Sequence, residues 1–443
     1  MQFLASALAA TVGGTLHGPD VTLDGATIDS RSVAPGALFV PVVAERDGHD
    51  FAEGALAAGA GAYLTSRGDV ANGPRIEVAD TAEALNLLAV AARDRLTPAP
   101  VVGVTGSVGK TSVKDLIAAA CGATTRTHAN PASFNNELGL PLTLANAPGD
   151  TEVAVCEMGA RGLGHIAHLC RIARPTIAVV TRVASAHTEL LGDLDGVAAA
   201  KGELVEALGQ AGTAVLNHDD PRVLAMAKRT RAAVFTYGHH ADADVRITDV
   251  TLDALARPTA TLESPWGSVT VTVPVSGAHM ATNAAAALTV AGIVGVPLEA
   301  AAAGIAGATL SAHRMDVTTT PAGALVLDDA YNANPTSMRA AVEALRAVDV
   351  NGRRVAVMGV MGELGDDGES EHTAIAAEAT AAGIDVIAVG APAYGDAARH
   401  VPDIEGAVAA LRAIGDGDAV LVKGSRVAGL ERVVARLLGE EAR

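Results

Sequence analysis

The run Val101-Val102-Gly103-Val104-Thr105-Gly106-Ser107-Val108-Gly109-Lys110-Thr111-Ser112 limits what this chain can fold into more than any other segment. Its β-branched start reads as a buried strand, its glycines as a tight turn, and Lys110-Thr111 as the opening of a helix. Backbone N–H groups at such a turn and at the helix N-terminus hold phosphate, Lys110 neutralises it, and the Thr111 hydroxyl can ligate Mg²⁺. The strict phosphate-loop spacing wants Gly at position 104, where this chain has Val, so the loop is the shorter T-G-x-x-G-K-T form. A Gly-rich turn carrying a Lys-Thr pair by chance is the competing reading, and the flanking strand and helix disfavour it. Nucleoside-triphosphate binding is the expectation.

A phosphate loop belongs in a parallel sheet covered by helices. Further β-branched runs at 152–156, 176–181 and 213–216 alternate with Gly-rich turns and helical stretches, as such a sheet requires. Leu96-Thr97-Pro98-Ala99-Pro100 reads as a linker, since each Pro blocks helix continuation and pushes its predecessor towards extended backbone. After about Ala312 a second α/β series begins, with strand candidates at 324–327, 354–358, 386–389 and 419–422. Between the two series, 244–275 reads as short alternating strands with a turn at Ser264-Pro265-Trp266-Gly267. At ~150 residues per domain, 443 residues suit three units. The expected architecture is α/β throughout: a small N-terminal domain (1–97), a central phosphate-loop domain with a parallel sheet (98–312) and a C-terminal Rossmann-like domain (313–443).

Charge and cysteine usage narrow the function. The 32 Lys and Arg against 50 Asp and Glu leave a net −18, which repels nucleic-acid backbones and anionic membranes. Aromatics at 2 % leave few platforms on which bases could stack. Cys121, Cys156 and Cys170 are widely spaced with no CxxC pattern, so neither a disulfide framework nor a thiolate zinc site is expected. The apolar start lacks a basic residue before Arg31, unlike a secretory signal, and the longest apolar run, 284–298, falls short of the ~18 residues that span a bilayer. A cytoplasmic enzyme without stable membrane association is expected.

What the phosphate is used for depends on nearby acidic and imidazole groups. Glu157 follows the 152–156 run, at the strand end where α/β sheets present ligand-binding residues, and is a candidate Mg²⁺ ligand beside Thr111. Taken alone it reads more readily as a solvated strand-end carboxylate. His187, one of 13 histidines, proves little by itself. Lys201, in the small-residue run Val197-Ala198-Ala199-Ala200-Lys201-Gly202-Glu203, reads on its own as an exposed helical lysine. Asn217-His218-Asp219-Asp220 nearly matches a guanine-reading Asn-Lys-x-Asp turn, but His218 stands where the lysine belongs, which argues against a GTPase.

In chain order the motifs are Asp29-Ser30-Arg31 with Gly36-Ala37-Leu38-Phe39-Val40 and Gly48-His49-Asp50-Phe51, the phosphate loop, and Phe134-Asn135-Asn136-Glu137-Leu138-Gly139-Leu140-Pro141. There follow Glu157-Met158-Gly159, Ala186-His187, Ala200-Lys201-Gly202-Glu203, Asn217 with Asp219-Asp220, and Gly277-Ala278-His279 with Asn283. The series ends with His313-Arg314, Asp328-Asp329-Ala330-Tyr331-Asn332-Ala333-Asn334-Pro335, Met361-Gly362-Glu363-Leu364-Gly365 and Lys423-Gly424-Ser425-Arg426. Together, over nearly the whole chain, they resemble the Mur ligase family of ATP-dependent amide-forming enzymes. The Asn-Asn-x-x-Gly and Tyr-Asn-Ala-Asn-Pro segments favour its dipeptide-adding branch.

The resemblance implies an N-terminal domain gripping a uridine nucleotide, a central ATPase and a C-terminal domain closing over both, in a monomer. It implies that Thr105, Gly106, Ser107, Gly109, Lys110, Thr111 and Ser112 hold ATP phosphates, with Thr111 and Glu157 on one Mg²⁺. His187 and a carbamylated Lys201 would serve a second Mg²⁺, because CO₂ addition turns an ammonium, which cannot ligate a cation, into an oxygen-donor anion. Asn283, Arg314 and Asp329 would hold the nucleotide; Ser30, Arg31, Asn135, Asn136, Asn332, Asn334 and Lys423 would face the substrates, a UDP-N-acetylmuramoyl tripeptide and D-alanyl-D-alanine. Lys110, Lys201, His187 and Arg314 would carry catalysis through an acyl phosphate. Met280 stands where the family pattern has Asn after the His, which removes hydrogen-bonding capacity there. A folylpolyglutamate-type ligase is the nearest rival, disfavoured by the Asp29-Ser30-Arg31 domain; a regulatory phosphate-loop ATPase that makes no bond is a rival of another class.

Overall fold

The computed structural model describes residues 1–185 and 191–440. The phosphate-loop strand Val101–Thr105 lies inside a nine-stranded sheet. The order is Gly267–Thr272, Pro258–Ser264, Val245–Leu252, Ala233–Gly238, Thr213–Asn217, Ile177–Val180, Val101–Thr105, Val153–Glu157 and Thr127–Ala129. Seven of these run parallel, and Pro258–Ser264 and Gly267–Thr272 extend one edge in antiparallel pairing. The alternating segment expected at 244–275 is therefore part of the central sheet. Its turn carries Trp266, stacked on Phe235 with 5.5 Å between ring centroids.

Alternate residues of the central strands point to opposite cores, as a sheet covered on both faces requires. Val153 and Val155 belong to an apolar cluster shared with the helices Lys110–Gly122 and Met280–Ile293 and with the C-terminal sheet. Ala154 and Cys156 face a second cluster shared with the N-terminal region. Helix packing on the first face is tight: a Cβ on Gly304, in the helix Leu298–Ala306, would lie 2.3 Å from the Ala119 carbonyl oxygen. Glycine is required there because the two backbones nearly touch.

The N-terminal part carries a five-stranded sheet ordered Thr15–His17, Arg75–Glu77, Ala62–Thr65, Leu38–Phe39, Ala26–Thr27. Asn146 of the central part donates to the Ala26 carbonyl and accepts from its N–H, both at 2.9 Å, as a neighbouring strand would. The C-terminal part holds a six-stranded sheet ordered Asp316–Thr319, Leu325–Asp329, Ala419–Lys423, Arg354–Met358, Asp385–Val389, Arg399–Val401, antiparallel only at its first pair. Its leading helix Pro335–Ala347 starts with a capping box between Asn334 and Ser337. No described helix is long and apolar enough to cross a membrane.

Candidate active site

The phosphate loop turns through Gly106 (φ +149°) and Gly109 (φ +82°) before the helix Lys110–Gly122 begins. A Cβ at Gly106 would collide with the Thr181 hydroxyl, so only glycine allows the loop to lie against that strand end. Lys110 donates to the Gly106 carbonyl at 2.7 Å and thereby folds back over the loop. Its burial, more than the nearby Arg314, lowers its pKa, and Glu157 opposes that shift. Two residues expected at the phosphates have other partners: Thr105 donates to the Met158 carbonyl, and Ser107 exchanges hydrogen bonds with the backbone of Ala184. Their hydroxyls brace the strands.

Glu157 is the last residue of its strand, paired in register with Val104, so its side chain emerges beside the loop. It is 1 % exposed, which corrects the solvated reading. Thr111 donates to one carboxylate oxygen at 2.9 Å and Asn135 Nδ2 to the other at 2.7 Å. The Glu157 N–H is taken by Asn130 Oδ1, a residue sequence reasoning passed over. A buried carboxylate and a hydroxyl at hydrogen-bond distance form a hard, oxygen-only donor set of the kind Mg²⁺ uses with phosphate oxygens, so these residues fit that ion.

Lys201 is the second correction. The helix Leu194–Glu206, capped by Asp193, turns it inward to line the same cavity at 1 % exposure. Burial, then the charge of Lys110, depresses its pKa to about 7, and it has no hydrogen-bond partner among the described residues. Its motif neighbours build the frame: a Cβ on Gly202 would meet the Arg229 guanidinium, and Glu203 accepts from the N–H groups of Gly164 and Ala167 at the start of the neighbouring helix His165–Ala173. His187 lies outside the described residues.

The C-terminal part closes the cavity, whose volume is about 590 Å³. Arg314 reaches across and donates to the Thr111 hydroxyl at 3.1 Å, while its Nε is buried with no partner among the described residues. Two left-handed residues, His313 and Met315, flank it, and Asp328 holds His313 at 2.7 Å. The Arg314 guanidinium lies 4.1 Å from the centroid of the Tyr331 ring, and the Tyr331 hydroxyl bonds to Ser133 of the central part. Lys423, also buried, donates to Asp329 at 2.5 Å and to the Asn332 carbonyl at 2.8 Å.

Other expected residues divide. Asn283 lines the cavity beside Gly109, and its Nδ2 lies 3.3 Å from the Met280 sulfur, so Met280 keeps a weak acceptor at that position. Asn136 faces the cavity but uses its oxygen on the Leu138 and Gly139 N–H groups; Asn334 likewise caps its helix. Ser30 and Arg31 are not among the residues lining this cavity; the Arg31 side chain is 87 % exposed and bonds to Asp29 at 2.8–2.9 Å. In the segment resembling a guanine reader, Asn217 donates to the Thr181 carbonyl, while Asp219 and Asp220 accept from backbone N–H groups. Those side chains organise the ends of interior strands.

A phosphate loop facing a carboxylate–hydroxyl pair, with an arginine brought in by a separate α/β unit, defines a nucleotide-driven enzyme that works between domains. Three family models match: Mur ligase family, catalytic domain, over 22–93; Mur ligase middle domain over 104–291; and Mur ligase, glutamate ligase domain, over 313–426. The UDP-N-acetylmuramoyl-tripeptide–D-alanyl-D-alanine ligase of Escherichia coli K12 is 39 % identical, with 98 % of this chain and 97 % of that one covered. The crystal structure of MurF from Acinetobacter baumannii matches at 28 % identity and TM-score 0.88 over 99 % of both chains. MurF ligase from Thermotoga maritima in complex with ADP matches at 29 % identity and TM-score 0.79, covering 94 % of this chain and 97 % of that one. This chain belongs to the Mur ligase family of ATP-dependent amide-forming ligases.

Proposed function

We propose that the chain adds D-alanyl-D-alanine to UDP-N-acetylmuramoyl-tripeptide at the expense of ATP, in peptidoglycan precursor synthesis. The observation that carries this reading is the end-to-end likeness to the E. coli ligase, laid over a cavity where Thr111, Glu157 and Arg314 meet. The acceptor carboxylate attacks the γ-phosphate to give an acyl phosphate; the dipeptide amine then attacks that carbonyl, and phosphate leaves. Such transfers depend on positioning and charge neutralisation more than on a protein nucleophile. Lys110 and Arg314 supply fixed positive charge at the transferring phosphate, and Asn135 ties the acceptor loop to Glu157. Mg²⁺, held by Thr111 and Glu157, supplies further neutralisation when bound.

A buried Lys201 whose pKa sits near 7 has a large neutral-amine fraction at physiological pH, which is the form that takes up CO₂. This supports a carbamylated Lys201 as ligand of a second Mg²⁺, for which His187 is the companion by resemblance. Ser30 and Arg31 are assigned to the uridine-nucleotide end of the acceptor. The cavity is built by one chain, which supports a monomer, and soluble nucleotide-linked substrates suit the cytoplasm.

The test is phosphate release from ATP with each acceptor and amine separately and together. Turnover requiring both UDP-muramoyl tripeptide and D-alanyl-D-alanine is expected. Turnover no greater than with ATP alone overturns the reading and favours a regulatory ATPase.

A further inference from the structure

One turn after the phosphate loop, the helix Lys110–Gly122 carries Lys114 and Asp115, neither used by the mechanism above. Lys114 is 1 % exposed and is not among the residues lining the active-site cavity. It donates to the carbonyls of Asn130 (2.8 Å) and Ala132 (2.9 Å) and pairs with Asp115 Oδ1 at 2.7 Å. The other Asp115 oxygen accepts from the Ser311 N–H at 2.8 Å. The two residues thus touch two distant segments. The loop starting at Asn130, bent through a left-handed Ala132, continues into Ser133 and Asn135, which contact Tyr331 and Glu157. The stretch following Ser311 leads in three residues to Arg314 on Thr111.

An ammonium buried this deeply is expensive unless fully partnered; here Asp115 partners it from the same helix, and both carbonyl partners belong to a loop that must be placed relative to the phosphate loop. We propose that Lys114 and Asp115 are positioning residues that fasten the acceptor loop and the interdomain segment to the phosphate-binding helix, so that nucleotide occupancy sets the aim of both. The carbonyls of Asn130 and Ala132 receive charge-assisted hydrogen bonds, which hold a loop that has no regular structure of its own. The proposal rests on the reading of Asn135 and Asn136 as facing the acceptor only for its kinetic arm.

The test compares wild type, Lys114→Met and Asp115→Ala by thermal unfolding, ADP·Mg²⁺ affinity, acceptor KM and kcat, and hydrogen exchange over 130–136 and 311–316. In the wild type, ADP·Mg²⁺ is expected to slow exchange in both stretches at least threefold. Lys114→Met should abolish that slowing at 130–136 and raise acceptor KM at least tenfold, with ADP affinity within threefold. Asp115→Ala should abolish the slowing at 311–316 and lower kcat at least fivefold. Ligand-induced slowing retained in both variants overturns the proposal, as does ADP affinity falling as much as acceptor affinity. If Lys114→Met fails to fold, Asp115→Ala decides alone. The exchange arm needs no acceptor, so its failure is distinct from an error in the assigned substrate.

Discussion

Replacing Lys201 by Met removes an ammonium from a cavity wall where the protein holds its pKa near 7, against an ordinary 10.5. Burial is the main cause and the charge of Lys110 the second. Between these two values the unfolded chain carries a proton that the folded chain does not, so stability contributed through this group rises with pH across that window. Below pH 7 both states are largely protonated and the folded state bears the full penalty. A displacement from 10.5 to about 7 corresponds to roughly 5 kcal/mol, falling to about 2 kcal/mol at pH 9. Met keeps the length and apolar stem without the charge. In CO₂-free buffer, Lys201→Met should therefore be more stable than the wild type by several kcal/mol at pH 6.5, and the margin should shrink by more than half at pH 9. The single tryptophan, Trp266, sits in a turn of the nine-stranded sheet on which the Lys201 helix packs, and reports urea unfolding of this part of the molecule by fluorescence. Bicarbonate should raise the wild-type midpoint and leave the variant unmoved. A stability difference that is flat between pH 6.5 and 9, or a Met variant less stable than wild type throughout, refutes the argument.

Glu157→Gln keeps the shape of the carboxylate without its charge, and should weaken Mg²⁺ dependence at least tenfold while lowering kcat by about 10²–10³; titrating Mg²⁺ at saturating ATP measures both, and near-normal activity would remove Glu157 from the metal site. Tyr331→Phe loses the hydroxyl contact with Ser133 but keeps the ring beside Arg314, so steady-state kinetics should show a mild loss in kcat. Tyr331→Ala should cost a further ~1–2 kcal/mol in kcat/KM for ATP, and equal effects of the two variants would contradict a stacking role. Asn334→Ala removes a helix cap and should lower stability by about 1 kcal/mol in thermal unfolding. A tenfold rise in KM for the dipeptide with unchanged stability would instead make Asn334 a substrate contact.

The phosphate loop was legible because it is local: strand, glycines, lysine and threonine are consecutive, and their backbone geometry follows from φ at Gly106 and Gly109. The succession of sheets was legible for a similar reason, since β-branched runs between Gly-rich turns carry their own signal. Lys201 was not, because Ala198, Ala199 and Ala200 give a helix no polar contrast from which to tell the inward face. Glu157 was misjudged as solvated because a strand ending one residue later turns a boundary carboxylate into a buried one. The bracing role of the Thr105 and Ser107 hydroxyls was not legible, because spacing cannot say which backbone carbonyl a hydroxyl will reach. Lys114-Asp115 has the composition of any exposed helical pair. The Arg314 contact joins positions 314 and 111, and no local pattern announces a pairing made by folding alone.

The Thr111 hydroxyl has a consequence for how this enzyme can be dissected. A hydroxyl offers one proton and two lone pairs. Here the proton goes to Glu157 and one lone pair to Arg314, which leaves a single lone pair for a cation. Thr111→Ser conserves that valence and Thr111→Val deletes all of it at once. A defect in Thr111→Val therefore mixes lost metal affinity with lost contact between domains, and a titration of metal through this residue is at the same time a titration of docking. Separating the two requires changes made on either side of it, at Glu157 and at Arg314.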